Sequence, residues 1–391
     1  MSVRFLTAVS GRAFNMRDRF GREIDYMRIS VIDSCNLNCY YCNPQDNNKN
    51  CQAINILSVK KVLCIVRAAT RLGITHFRLT GGEPLLHPQI DEMVSQIKKI
   101  PGVRSVSLTT NAVLLAQHAK QLKEAGIDSI NVSLDTIDAS EYEHITKKPL
   151  LDKVEHGIDA AIECGIRVKI NVVLIPQTDV VALTRYASKK DTDIRFIEMM
   201  PVGEGHTNGV EPYEKVIGAL LEVYGTPCHI DTEKREKINS GYNKNKEKLQ
   251  AQEGTQTYVG YINADNGPAE YYSFPGLDIR VGLIQAIHGK FCDTCNRIRV
   301  TADGRLMPCL GSSVTMDLVP DSCEFTDDLE KDFVIVQALK AAIKAKPGCH
   351  NFNDNAVTYT KTTETKTVET KATELKAAEV NAARNMSRIG G

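Results

Sequence analysis

Between residues 27 and 200 the chain alternates short apolar runs with amphipathic stretches. Six runs read as strands: MRISVID (27–33), ITHFRLTGG (74–82), VRSVSLTTN (103–111), SINVSLD (129–135), VKINVVLI (168–175) and IRFIEMM (194–200). Between them, apolar positions recur three and four apart, the helical period. These stretches cover 58–72, 88–99, 113–125, 151–164 and 179–189. Ser58 supplies an N-cap for the first, while Gly73 and Gly165 supply stops for the first and fourth. Strands alternating with helices predict an α/β fold with a parallel sheet and crossover helices. Six such units predict a partial (β/α)6 TIM-like barrel, in which chemistry gathers at the C-terminal ends of the strands.

After Pro201 the rhythm changes. The expected division is a barrel core at 1–200, a C-terminal domain at 201–350, a low-complexity linker at 351–385 and a short tail at 386–391. Within the second of these, 231–256 is charged and polar, reading as a solvated insertion. The Thr-, Lys-, Glu- and Ala-rich stretch 358–384 has too little apolar content to build a core.

Charge removes some classes of function. The 48 Lys and Arg residues balance 48 Asp and Glu residues, so no overall basic field favours nucleic acid or a membrane surface. No apolar run approaches the ~20 residues of a membrane helix, and the N-terminus has no adequate hydrophobic signal region. The expected location is the cytoplasm. There, the 12 cysteines point to metal ligation or catalysis rather than disulfides.

Cysteine spacing sharpens that choice. Cys35, Cys39 and Cys42 form C-x3-C-x2-C directly after the first strand. Three thiolates in one loop can hold three irons of a cubane and leave the fourth iron open to a small chelating molecule. A structural zinc site normally closes with four ligands, and Cys51 stands nine residues past Cys42. Three unrelated buried cysteines or a zinc knob are the alternatives. Cys292, Cys295 and Cys309 form a second set, C-x2-C-x13-C. Cys323 or His288 could close that set around zinc. Between its ligands stand Arg297 and Arg299, which share one face of an extended segment and can clamp an anion bidentately.

CNLNCYYC resembles the signature of the radical S-adenosylmethionine enzymes, and TGGEP at 80–84 resembles that superfamily's GGEP element, one βα unit later. The segment FCDTCNRIRVTADGRLMPCLG resembles the second cluster segment of the GTP 3′,8-cyclase family of molybdenum cofactor biosynthesis. FGREIDYMRISVIDSCNLNCYYC, FRLTGGEPLL, LTTN, INVSLDTID, VKINVVL, RFIEMMPVG and the terminal SRIGG match that family in the same order, over roughly 18–350 plus the last six residues. The sequence departs from the family at Ala112, where glycine is usual, and at Asn43, where an apolar residue is common.

The resemblance implies two [4Fe–4S] clusters, S-adenosylmethionine as cofactor, and a C-terminal extension carrying the second cluster. It implies that Tyr41, Gly82, Glu83, Ser133 and Met200 serve S-adenosylmethionine. It carries Arg28, Arg78, Thr109, Lys169 and the segment Arg297, Ile298, Arg299 over to GTP. Arg297 and Arg299, with a Gly390-Gly391 tail inserted into the cavity, take catalytic roles. The 358–384 stretch is long enough, as a flexible tether, to permit that insertion. Expected partners are GTP, an electron donor of the flavodoxin or ferredoxin type, the downstream cyclic pyranopterin monophosphate synthase and, as a compatible assembly, a homodimer.

The residues give partial independent support. A triphosphate carries about four negative charges near neutral pH and asks for several cations. Arg28, Arg78, Lys169 and Arg195 lie in or at strand runs, where a charge is costly unless it meets a polar partner. Joined by Arg297 and Arg299, they favour an anion site over isolated salt bridges. Two alternatives remain at this stage: a peptide-modifying radical maturase, whose C-terminal domain usually holds more cysteines, and a non-catalytic iron–sulfur or zinc module, which has no need of GGEP or strand-end cations.

Overall fold

A computed structural model describes residues 16–42, 54–201, 213–230, 267–312, 315–318, 329–350 and 352. The 231–256 and 358–384 stretches, Cys51, Cys323, Gly390 and Gly391 lie outside the described residues. All six expected strands form: β1 (Tyr26–Ser30), β2 (His76–Thr80), β3 (Ser105–Thr110), β4 (Ser129–Ser133), β5 (Arg167–Val173) and β6 (Asp193–Ile197). Five helices follow the expected stretches: α1 (Val59–Thr70), α2 (Ile90–Lys98), α3 (Leu115–Glu124), α5 (Leu151–Glu163) and α6 (Val180–Lys189). The Ser58 side chain caps α1 by accepting from the Lys61 amide at 3.3 Å, and Gly73 and Gly165 take the left-handed φ of helix stops (84° and 68°). A short helix not expected from the pattern, α4 (Ala139–Thr146), is capped by Asp138 and buries chiefly Tyr142 and Ile145.

The sheet does not stop at six strands. Later segments supply β7 (Cys228–Ile230), β8 (Glu270–Ser273), β9 (Val281–Ile284), β10 (Arg297–Val300), β11 (Arg305–Met307) and β12 (Met316–Asp317). The order is β12-β11-β10-β1-β2-β3-β4-β5-β6-β9-β8-β7. The eight strands from β10 to β9 are mutually parallel, and the outer two on each side turn back antiparallel. Helices α7 (Tyr213–Tyr224) and α8 (Leu329–Ala345) complete the set, α8 packing on α1.

Strand alternation separates core from site. Met27, Ile29, Phe77, Leu79, Val106, Leu108, Ile130, Val132, Ile170, Val172, Ile194 and Phe196 are buried on the helix side. The opposite face carries Arg28, Arg78, Ser107, Thr109, Asn131, Ser133, Lys169, Asn171 and Arg195. Parallel strands covered on both faces by helices are apolar throughout. Polar residues on one face therefore mark the lining of a cavity. No helix among the described residues is long and apolar enough to cross a membrane.

Ala112 has φ 63°, which explains why glycine suits this place. A left-handed alanine costs about 1–2 kcal/mol. Its methyl is fully buried, and burying one such group returns ~0.8 kcal/mol, so much of the cost is offset.

Candidate active site

A cavity of about 580 Å³, within the range of small-molecule sites, runs along the polar face of the parallel strands from the loop after β1 to the residues before β10, so the chemistry expected at the C-terminal ends alone extends to the opposite end of the strands. Both cysteine triads line it, Cys35, Cys39 and Cys42 on one side and Cys292, Cys295 and Cys309 on the other. Among the described residues no three His, Cys, Asp or Glu side chains are gathered closely enough for one metal ion. A cubane makes a different demand, because each thiolate takes a separate iron. Cys35 and Cys42 lie near enough to Cys39, and Cys295 and Cys309 near enough to Cys292, for their charges to push that thiol's pKa up alongside burial, so the donor set fits such a group.

The first triad is held by the GGEP loop. The Gly82 and Glu83 amides donate to the Ile32 and Ser34 carbonyls, both at 2.8 Å. The glycines serve this contact: a Cβ on Gly82 would stand 2.2 Å from the Ser34 oxygen, and one on Gly81 would stand 2.4 Å from the Ile32 oxygen. Gly82→Ala is therefore expected to displace the cysteine loop, destabilising the protein by about 1–3 kcal/mol. Selective loss of first-site iron after anaerobic reconstitution checks this; unchanged iron would show that the loop tolerates the methyl.

Glu83 lines the cavity but is almost fully buried. Its oxygens accept from Thr110 Oγ1 (2.7 Å), the Asn111 amide (2.7 Å) and the Leu85 amide (3.0 Å). Burial raises its pKa to about 7, against those hydrogen bonds. Asn111 Nδ2 in turn reaches Asn36 Oδ1 at 2.7 Å and Cys35 Sγ at 3.8 Å. Glu83 thus ties β3 to the cysteine loop. The Tyr41 hydroxyl donates to Asp135 at 2.5 Å, and burial lifts the Asp135 carboxyl to about 6. Burial also pushes the Cys35 thiol up to about 12 and Cys42 to about 11, so loading a cation here must release protons. Gly82, Ser133 and Met200 line the cavity together with Tyr41.

The cations meet by register. Arg299 on β10 pairs with Arg28 on β1, which pairs with Arg78 on β2, which pairs with Ser107 on β3. Three guanidinium groups thus stand on one rung. Burial, then Arg299 and Arg78, pulls the Arg28 pKa well down; burial and Arg297 lower Arg299 to about 10. Like charges on adjacent strands are unfavourable on their own, and a bound anion is one arrangement that would offset them. Arg78 Nε donates to Ser107 Oγ (3.0 Å) and Arg195 Nε to Asn171 Oδ1 (2.9 Å). Arg195 Nη2, Arg299 Nη1 and Thr109 Oγ1 are buried with no hydrogen-bond partner among the described residues. Gly282 on β9 makes room for Arg195, since a Cβ there would lie 2.7 Å from its Cγ.

Five of the six expected cations line the cavity: Arg28, Arg78, Arg195, Arg297 and Arg299. Lys169 does not; it is buried one rung below Asn171, where its charge falls on Asp193. The Ile298 side chain does not line the cavity either, because it points between its two arginine neighbours into the core on the other face. Thr109 does line it. His288, expected as an alternative ligand, is bound through Nδ1 to Glu198 Oε1 at 2.9 Å.

Sequence reasoning missed several lining residues. Tyr26 and Asn171 lie two positions from Arg28 and Lys169, so the strand period could have found them. Lys346, His350 and Phe291 carried no such signal.

The fold and the paired cysteine loops define the class, a radical S-adenosylmethionine enzyme. Residues 29–183 match the Radical SAM superfamily, and residues 228–352 match Molybdenum Cofactor Synthesis C. The chain belongs to the GTP 3′,8-cyclase family. It is 35% identical over 341 residues to the GTP 3′,8-cyclase of Clostridium perfringens, covering 86% of this chain and 95% of that one. It is 37% identical over 308 residues to the one from Thermodesulfovibrio yellowstonii, covering 78% and 87%. Streptococcus suis SuiB bound to S-adenosylmethionine shares the fold at 14% identity, with a TM-score of 0.53 over 82% of this chain and 68% of SuiB.

Proposed function

We propose that this chain converts GTP to 3′,8-cyclo-7,8-dihydro-GTP, the first step of molybdenum cofactor biosynthesis. The observation that carries the reading is one cavity bounded by two three-cysteine loops and lined by five arginines. Cys35, Cys39 and Cys42 would hold one [4Fe–4S] cluster, and Cys292, Cys295 and Cys309 a second. When bound, the first cluster would supply the electron that cleaves S-adenosylmethionine, so that its 5′-deoxyadenosyl fragment could take hydrogen from ribose C3′ and C3′ could join guanine C8, with one further electron from the external donor and one proton completing the dihydro product.

The chain's own residues position and shield. Tyr41, fixed by Asp135, together with Gly82, Ser133 and Met200, lines the S-adenosylmethionine end. Arg28, Arg78, Arg195 and Arg299 offer the charge that a triphosphate needs, with Thr109 Oγ1 available beside them. Binding the two ligands between fixed loops restricts both ends of the nucleotide, as a reaction joining two of its own atoms requires. An electron donor of the flavodoxin or ferredoxin type and the following cyclic pyranopterin monophosphate synthase would complete the sequence. Anaerobic incubation with reductant, S-adenosylmethionine and GTP should give 5′-deoxyadenosine and a cyclised nucleotide. Deoxyadenosine formation that does not depend on GTP would overturn the substrate.

A further inference from the structure

Among the described residues the second cysteine loop has no neighbour equivalent to GGEP. What holds it comes from far along the chain. Directly after α8, Lys346 is only 2% exposed, and its ammonium group is enclosed by the loop. Nζ donates to the Arg297 carbonyl (2.8 Å), the Pro308 carbonyl (3.1 Å) and Cys295 Sγ (3.4 Å). An ammonium group has three protons to donate, and these three contacts use them all. They reach the middle ligand of the triad, the first residue of β10, and the residue before Cys309.

The segment after Lys346 continues the clamp. Arg22 pairs with Asp18 at 2.6 Å; both side chains are buried. Its guanidinium donates to the Pro347 carbonyl (2.7 Å), the Gly348 carbonyl (3.1 Å) and the Cys292 carbonyl (2.6 Å). His350 Nε2 meets the Ala286 carbonyl at 2.8 Å. Residues 346–350 thus form a strap across the second triad, in which Lys346 makes a charged contact to a thiol.

A buried ammonium group is expensive unless a compensating charge is present. Two carbonyls satisfy its geometry but not its charge. We propose that Lys346 is a positioning residue for the second iron–sulfur site, holding Cys295 in place and setting the site's reduction potential by its fixed positive charge. This rests on the two-cluster reading above. Hydrogen bonds to cluster sulfurs and nearby charge tune such potentials. Reduction adds negative charge to a cluster, so a fixed cation raises the potential.

The test uses the full chain, reconstituted anaerobically, with Lys346→Met, Lys346→Gln and Lys346→Arg variants. Iron content and a redox titration followed by electron paramagnetic resonance are read for each cluster separately. At a fixed applied potential, Lys346→Met should show an about tenfold smaller reduced-to-oxidised ratio at the second cluster, equivalent to ~59 mV for one electron. Lys346→Gln, which keeps a donor without the charge, should fall less, and Lys346→Arg should restore the ratio. Selective loss of second-site iron in the Met variant, rescued in the Arg variant, would support the same role. Equal potentials and iron in all four proteins would overturn it, as would loss of iron from both sites alike. A wild-type chain that binds only about four irons would instead remove the two-cluster reading, and Lys346's role with it.

Discussion

Changing Cys35, Cys39 and Cys42 together to serine should lower the iron content of anaerobically reconstituted protein from about eight to about four atoms per chain. It should also abolish reductive cleavage of S-adenosylmethionine, leaving less than a thousandth of the wild-type rate. GTP should still bind, because Arg28, Arg78, Arg195, Arg297 and Arg299 belong to strands whose register does not pass through the first cysteine loop. Changing Cys292, Cys295 and Cys309 should leave the first four irons in place and weaken GTP binding instead. The asymmetry follows from how each loop is held. The first hangs from β1 and is braced by the GGEP loop and Asn111, whereas the second is braced by Lys346 and Arg22. No side chain named in one brace appears in the other. Loss of all iron from either triple variant would show that the two loops load as one unit, contrary to this account.

Much of this arrangement was legible in the sequence. The strands of the core are read from apolar positions that face helices, and burial of Phe77, Leu108, Ile130 and Ile170 bears that out. The cysteine spacings stand in the chain itself, but their placement was only half legible: Cys35, Cys39 and Cys42 follow β1 at the C-terminal end of the parallel strands, whereas Cys292 and Cys295 precede β10, and Cys309 follows the antiparallel β11, at the opposite end. Depth within the cavity was not legible. Lys169 and Asn171 share a face by the strand period, but only register with β4 and β6 shows that Asn171 meets the cavity and Lys169 lies beneath it. The edge strands were not legible either. VGLI and RIRV are four residues long, and RIRV pairs with β1 across some 270 residues of sequence. A short segment carries too little periodicity to declare its partner. The two arginines of RIRV do share a face, as the extended-chain period requires, and pairing with β1 sets Arg299 beside Arg28. Lys346 left no mark, since nothing local to Lys-Pro-Gly distinguishes a surface lysine from one enclosed by a distant loop.

The arginine rung makes opposite demands on stability and binding, and Arg299→Met should separate them. In the protein without nucleotide, Arg299 places its buried charge beside Arg28 and near Arg297, with Nη1 lacking a partner. Replacing a poorly compensated buried charge by an apolar side chain of similar length is stabilising or neutral. A gain of about 1 kcal/mol would raise the melting temperature by ~2 °C. The same change removes a charged donor from the proposed nucleotide site. Hydrogen bonds to charged groups contribute about 1.5–3 kcal/mol, so GTP affinity should fall roughly 10- to 150-fold. Bound nucleotide stabilises in proportion to the logarithm of its concentration over Kd. The order of melting temperatures should therefore reverse: the variant melts higher without GTP, and the wild type melts higher once GTP saturates it. A thermal titration across GTP concentrations checks both arms in one experiment. A variant that melts lower at every concentration, with GTP affinity unchanged, would make Arg299 a structural residue and reduce the anion site to Arg28, Arg78, Arg195 and Arg297. The repulsion along the rung would thus be the counterpart of the affinity proposed for it, as expected where stability is traded for a binding site.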